Sequence, residues 1–127
     1  MSQPGTPSQS QTASAPSQRS EIARQSYSAF AAADRRFFED RLGDDFTFSS
    51  PPDPLLDRAG WFERCWPGAG LGQEFSFVRV VEVGDEVIVS YELRHPDGTT
   101  RGYNTEVLSF DERDKIVRIE VYFGWSV

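Results

Sequence analysis

In the stretch Arg101 to Phe110, RGYNTEVLSF, strand alternation puts Leu108 and Phe110 on one face, and the same face must then contain Asn104 and Glu106. An amide and a carboxylate on a buried face cost several kcal/mol unless they are hydrogen-bonded, so such residues are kept for structure or for chemistry. A carboxylate in an apolar cavity has its charged form disfavoured and its pKa raised toward the range useful for moving protons. Glu106 is therefore the leading candidate for a general base or acid, against the plainer role of an ion pair with an arginine or a cap on a backbone group. Asn104 can orient a carbonyl or a water, or it can satisfy a helix end.

Other residue types that bear chemistry are fewer. Tyr91 and Tyr27 can point hydroxyls into a cavity as donors to a developing oxyanion, although aromatic core is the commoner use. His95 is the only histidine and precedes the turn Pro96-Asp97-Gly98, where a solvated hairpin residue is the simpler reading and a base at a pocket mouth the sharper one. Asp53 and Asp57 should border the same opening, Asp57 as a helix N-cap and Asp53 as a turn residue in Pro-Pro-Asp-Pro. Cys65 has aromatic neighbours and no histidine at readable spacing, which reads as a buried, inert thiol. With one histidine and one cysteine, no metal site is expected. The run Gly68-Ala69-Gly70-Leu71-Gly72 follows a helix and precedes a strand, the reverse of a dinucleotide loop, so no cofactor is expected either.

These residues must be positioned by a recognisable series of elements. Ser20 reads as an N-cap with Glu21 in the first turn, followed by Ala23, Tyr27, Phe30 and Ala31 at helical spacing to about Ala33. Asp34 caps a second short helix, RRFFEDRL, which Gly43 should end. Phe46 and Phe48 alternate in the strand DDFTFSS, which Pro51, Pro52 and Pro54 prevent from extending. A third helix begins at Asp57 and sets Trp61, Phe62, Cys65 and Trp66 on one side, as core or as a lid over a ligand, until Pro67 stops it.

From Gln73 the period is two. EFSFVRVVEV, EVIVSYELRH, RGYNTEVLSF and KIVRIEVYF are four strands separated by short hairpin turns. In the second of these, Val87, Val89, Tyr91, Leu93 and His95 face the core; in the last, Val117, Ile119, Val121 and Phe123 do. Helices first and strands after give an α+β class: a curved antiparallel sheet around about three N-terminal helices, a cone-shaped barrel enclosing a pocket. The opposite face, with Tyr103, Thr105 and Val107, is only weakly polar, which predicts a homodimer through the outside of the sheet.

The chain holds 127 residues, with 20 acids against 13 basic side chains and a formal charge of −7. That suits one domain, residues 20–127, large enough for a core without staples, and excludes a nucleic-acid-coating surface. Residues 1–19, rich in Ser, Gln and Pro, cannot bury enough apolar surface to order themselves and are expected as a disordered tail, with a docking peptide as the alternative. No run approaches a membrane span and no signal-peptide core is visible, so a cytoplasmic protein without membrane partners is the expectation.

The helix pair, the motif DDFTFSSP, a helix ending in Cys65-Trp66-Pro67, and strands closing with Asn104, Phe110, Lys115-Ile116 and Tyr122-Phe123 together resemble the SnoaL-like branch of the nuclear transport factor 2-like superfamily. The resemblance spans roughly Glu21 to Trp125. It implies a cone of sheet and three helices around an apolar cavity, in a group that includes ketosteroid isomerases, polyketide cyclases, limonene epoxide hydrolases, dehydratases and non-catalytic proteins. Asn104 matches an asparagine frequent in the penultimate strand of relatives. Where relatives close with an acid, a tyrosine, a phenylalanine and an aspartate, this chain has Val121 and Gly124 at the two acidic positions, which puts an epoxide-hydrolase mechanism in doubt.

The expectation is thus a pocket protein for a small apolar molecule, either a cofactor-independent isomerase, cyclase or dehydratase moving protons at a carbonyl compound, or a non-catalytic ligand-binding or dimeric interaction module. Glu106, Asn104 and Tyr91 would form the centre. Tyr27, Phe30, Phe46, Phe48, Trp61, Cys65, Trp66, Val89, Leu93, Leu108, Val121, Phe123 and Trp125 would line it, with His95 and Asp53 at the mouth. A third possibility is that the chain's 3 Trp, 4 Tyr and 10 Phe fill the cavity themselves.

Overall fold

The structure, a computed structural model, describes residues 17–98 and 101–126, without the side chains of Arg101, Trp125 and Ser126. Of the expected N-terminal tail, residues 1–16 lie outside this range. Helix α1 is Gln18–Ala31, and its cap is Ser17, not Ser20: the Ser20 amide donates to Ser17 Oγ at 3.4 Å. Ser20 thus lies in the first turn, where a free amide needs an acceptor from one turn earlier. Helix α2, Arg35–Arg41, is capped by Asp34, whose Oδ1 accepts from Phe37 N.

Gly43 does not end α2. The chain turns extended at Leu42 and strand β1 runs Leu42–Ser49 with Gly43 inside it, next to the place where its register against the partner strand shifts. A two-residue strand β2, Leu56–Asp57, pairs back on Thr47 and Phe48. Helix α3, Arg58–Arg64, starts on Asp57, whose Oδ1 accepts from Gly60 N at 2.8 Å. It is shorter than the aromatic spacing suggests: Trp66–Gly68 is a separate 3-10 turn, since Pro67 has no N–H to continue the α ladder. Strands β3 Glu74–Val83, β4 Glu86–Arg94, β5 Arg101–Phe110 and β6 Ile116–Ser126 follow.

The class is α+β, three helices against a curved sheet, and the sheet order is β2-β1-β6-β5-β4-β3. Strands β3 to β6 form the expected antiparallel meander. Two features differ from an all-antiparallel closed barrel. Strand β1 runs parallel to β6, and the sheet stays open, with β2 and β3 as its edges. Parallel neighbours need a long crossover, which the whole length from α3 through β5 supplies.

The core lies between helices and sheet, where Phe46, Leu108, Ile116, Val87 and Val89 are fully buried. Alternation in β6 was expected to bring Val117 inward, but a register shift between Ser109 and Phe110 pairs Phe110 with Ile116, and Ile116 takes the core position. At the other end of β6, Phe123 pairs with Asn104 yet is 58% exposed. Among the described residues no helix is long and apolar enough to cross a membrane.

Candidate functional site

Between α1, α3 and the covered face of the sheet lies a cavity of about 210 Å³. Alternation in β4 aims Tyr91 and Leu93 into it, β5 aims Glu106, and β6 aims Ile119 and Val121. Helix α1 contributes Tyr27 and Phe30 at i, i+3 spacing, and α3 contributes Trp61. Phe48, Cys65 and His95 complete the expected residues in its wall.

The register explains the polar centre. Tyr91 pairs directly with Asn104, and Glu106 pairs with Val89 on one side and Val121 on the other. Glu106 is therefore the diagonal neighbour of Tyr91, a separation that long side chains bridge. The Tyr91 hydroxyl donates to Glu106 Oε2 at 2.5 Å, and Asn104 Nδ2 donates to the Tyr91 oxygen at 3.4 Å. Asn104 thus acts through Tyr91 and does not itself line the cavity. Among the described residues no arginine meets Glu106. Its Oε1 accepts no hydrogen bond among the described residues, and the surface it keeps is cavity wall.

Burial pushes the Glu106 carboxyl above the usual carboxylate range, offset in part by the hydroxyls of Tyr91 and Tyr27. Burial first, and then the charge of Glu106, hold both tyrosines well above the ordinary phenol value, so both are neutral donors. Tyr27 differs from Tyr91 in one respect. Its hydroxyl is fully buried near Glu106 but forms no hydrogen bond of normal geometry, which leaves a donor unused. Burial also pushes the Cys65 thiol up to about 11, the opposite of what a nucleophile needs.

Several expected wall residues sit elsewhere. Phe46, Val89 and Leu108 are core beneath the cavity floor, and Trp66 packs its ring against Phe30, Phe38 and Trp61 without reaching the cavity. Phe123 lies in a separate groove with Ser49, Ser50, Pro51 and Pro54. The side chain of Trp125 lies outside the described residues. Asp53 is not at the mouth; it closes a turn with Ser50 and pairs with Arg64 at 2.7 Å.

Five wall residues were not expected: Ser26, Phe38, Gln73, Phe75 and Ile119. Ile119 and Phe75 were legible, the first as the neighbour of Val121 in the alternation and the second as the partner of Leu93. Gln73 carried no periodic signal. It is buried because its amide accepts from Leu71 N and donates to Gly68 O, clamping the glycine-rich loop into the mouth. Among the described residues no three His, Cys, Asp or Glu side chains gather as a metal cluster would require.

No curated protein matches the chain. Solved structures do. A proposed ketosteroid isomerase from Kribbella flavida is 17% identical with a TM-score of 0.72, over 87% of this chain and 80% of that one. A nuclear transport factor 2-like protein of unknown function from Cytophaga hutchinsonii is 16% identical with a TM-score of 0.67, over 87% and 93%. An epoxide hydrolase of the limonene type from M. tuberculosis is 18% identical with a TM-score of 0.67, over 84% and 82%. At such identities the likeness is one of fold. The sequence pattern of the SnoaL-like domain matches residues 23–119, most of the length of the chain, and the protein therefore belongs to the SnoaL-like family of the nuclear transport factor 2-like superfamily.

Proposed function

We propose that the cavity takes a small apolar carbonyl compound and that Glu106 moves a proton on it. One observation carries the reading: a buried carboxyl, the one acid in the cavity wall among the described residues, has one oxygen held by Tyr91 and the other without a hydrogen bond. As carboxylate, Glu106 takes a proton from the carbon beside the carbonyl, and the C–H electron pair moves to the carbonyl oxygen. Tyr27, whose buried hydroxyl has no partner, turns to meet that oxygen, since the Tyr91 hydroxyl is already engaged with Glu106. Return of the proton to another carbon completes an isomerisation. Tyr91 and Asn104 are positioning residues that hold the carboxyl in one orientation.

The experiment is hydrogen exchange into a cyclic ketone in heavy water, followed by NMR. Glu106→Gln should lower the enzyme-dependent exchange rate at least about 100-fold while the circular dichroism of the fold is unchanged. An unchanged rate removes Glu106 from the mechanism. A second reading, a binding protein without chemistry, is favoured by Val121, which leaves Glu106 without a second acid across the β5–β6 pair. It holds if the ketone binds and no exchange occurs.

A further inference from the structure

The size and lining of the cavity narrow the ligand further than a carbonyl group does, and this narrowing rests on the proposed reading of the same site. Among the described residues no lysine or arginine lines the cavity, and its one acid is Glu106. An anionic ligand would meet no counter-charge and one carboxyl, a desolvation cost with nothing to offset it.

The polar groups of the wall are mostly engaged already. Ser26 Oγ donates to Ala23 O at 2.7 Å, Gln73 is occupied by Gly68 and Leu71, and Tyr91 by Glu106. Without a hydrogen bond among the described residues are the Trp61 indole N–H, the buried Tyr27 hydroxyl and Glu106 Oε1, with His95 at the mouth. The rest of the wall is aromatic or aliphatic. A complementary ligand therefore has one or two hydrogen-bond acceptors, such as the lone pairs of one carbonyl, on an otherwise apolar frame.

Volume sets the frame. An apolar cavity of about 150 Å³ holds benzene, on the order of 25 Å³ per non-hydrogen atom, so 210 Å³ accommodates about eight such atoms. That is one ring with a carbonyl, and it is too small for fused rings. The limit has an identifiable residue. Val121, which pairs with Glu106 across β5 and β6, lines both this cavity and the adjoining groove of about 430 Å³ bounded by Ser49, Ser50, Pro51 and Pro54. It is the one described residue common to both linings.

We infer that the ligand is a neutral single-ring carbonyl compound without carboxylate or phosphate, and that Val121 is the residue that confines it to one ring. Titration calorimetry tests this with four probes: 2-cyclohexen-1-one, toluene, benzoate and a two-ring fused enone. Wild type should bind cyclohexenone and toluene, and neither benzoate nor the fused enone. Tyr27→Phe should weaken cyclohexenone about tenfold and leave toluene unchanged, the loss of one hydrogen bond. Val121→Ala should gain the fused enone by at least about tenfold, and Val121→Leu, which only narrows the space, should weaken cyclohexenone.

Binding of benzoate, equal binding of one-ring and fused enones by wild type, or a Val121→Ala variant that melts normally and gains nothing would each overturn the inference. Because these readouts are of binding, they are separate from the exchange test. Cyclohexenone that binds with the expected Tyr27 dependence but never exchanges its protons sinks the proton-transfer reading and leaves the size limit standing.

Discussion

At the scale of single residues the chemistry of the site turns on one carboxyl in an apolar wall. Burial raises the Glu106 pKa, so the folded chain holds this proton to higher pH than the unfolded chain does. The sign of the linkage follows. The contribution of Glu106 to stability is full below the ordinary carboxylate pKa and is lost as pH rises through the raised value. Urea unfolding midpoints across that window should fall with pH in wild type, with a slope from this group of at most about 1.4 kcal/mol per pH unit, and Glu106→Gln should flatten that part of the curve. A variant whose curve parallels wild type would mean that the carboxyl is not held above its ordinary range. The same substitution that ends proton transfer should thus stabilise the fold on the alkaline side.

Elements set how accurately those side chains are held. Helix α3, with Arg58 and Arg64 at its ends, brings Trp61 to the cavity and is only seven residues long, so propensity cannot sustain it alone. Asp57→Ala removes the acceptor for Gly60 N and should cost about 1 kcal/mol, read as a lowered urea midpoint. In β6, Gly124 allows the close approach that the register shift near it demands: a Cβ there would run into the Tyr103 carbonyl oxygen. At that place only glycine fits. Gly124→Ala should therefore destabilise the β5–β6 pair by about 1–3 kcal/mol, seen as faster amide exchange at the Gly102 end of the pair.

For the whole molecule, the sheet is open, with β2 and β3 as its edges, and apolar residues of its outer face are exposed. On that face Val81 lines up with Ile88 and Val107, and Tyr122 with Thr105 and Ser90; Val81 is 44% exposed and Tyr122 55%. The same rows carry Arg79 beside Ser90 and Glu120 beside Val107, so the face is mixed, with exposed apolar side chains between opposite charges that a two-fold copy could pair. Sedimentation should give a dimer, and Val81→Glu with Tyr122→Glu should give a folded monomer at the same concentration. A wild-type monomer at high concentration would remove the outer face as an interface.

Much of this architecture is local and therefore readable along the chain. Period-two alternation puts Tyr91 with Val87, Val89 and Leu93 in EVIVSYELRH, and Asn104 and Glu106 with Leu108 and Phe110 in RGYNTEVLSF, because successive Cβ atoms must alternate. Asp34 and Asp57 mark helix starts because a short acceptor satisfies free amides in the first turn. Other features depend on contacts between distant segments and had no local signature. Register shifts exchanged Val117 for Ile116 in the core, and the Leu71 and Gly68 backbone drew Gln73 into the cavity mouth. The packing of α1 over the sheet left the Tyr27 hydroxyl beside Glu106 without a partner, and the diagonal reach of Tyr91 oriented the carboxyl. The sequence by itself determined which residues share a face of each strand, since alternation is a property of backbone geometry. Only the tertiary structure decided which of them meet, since register and helix placement are set by the packing of the whole core.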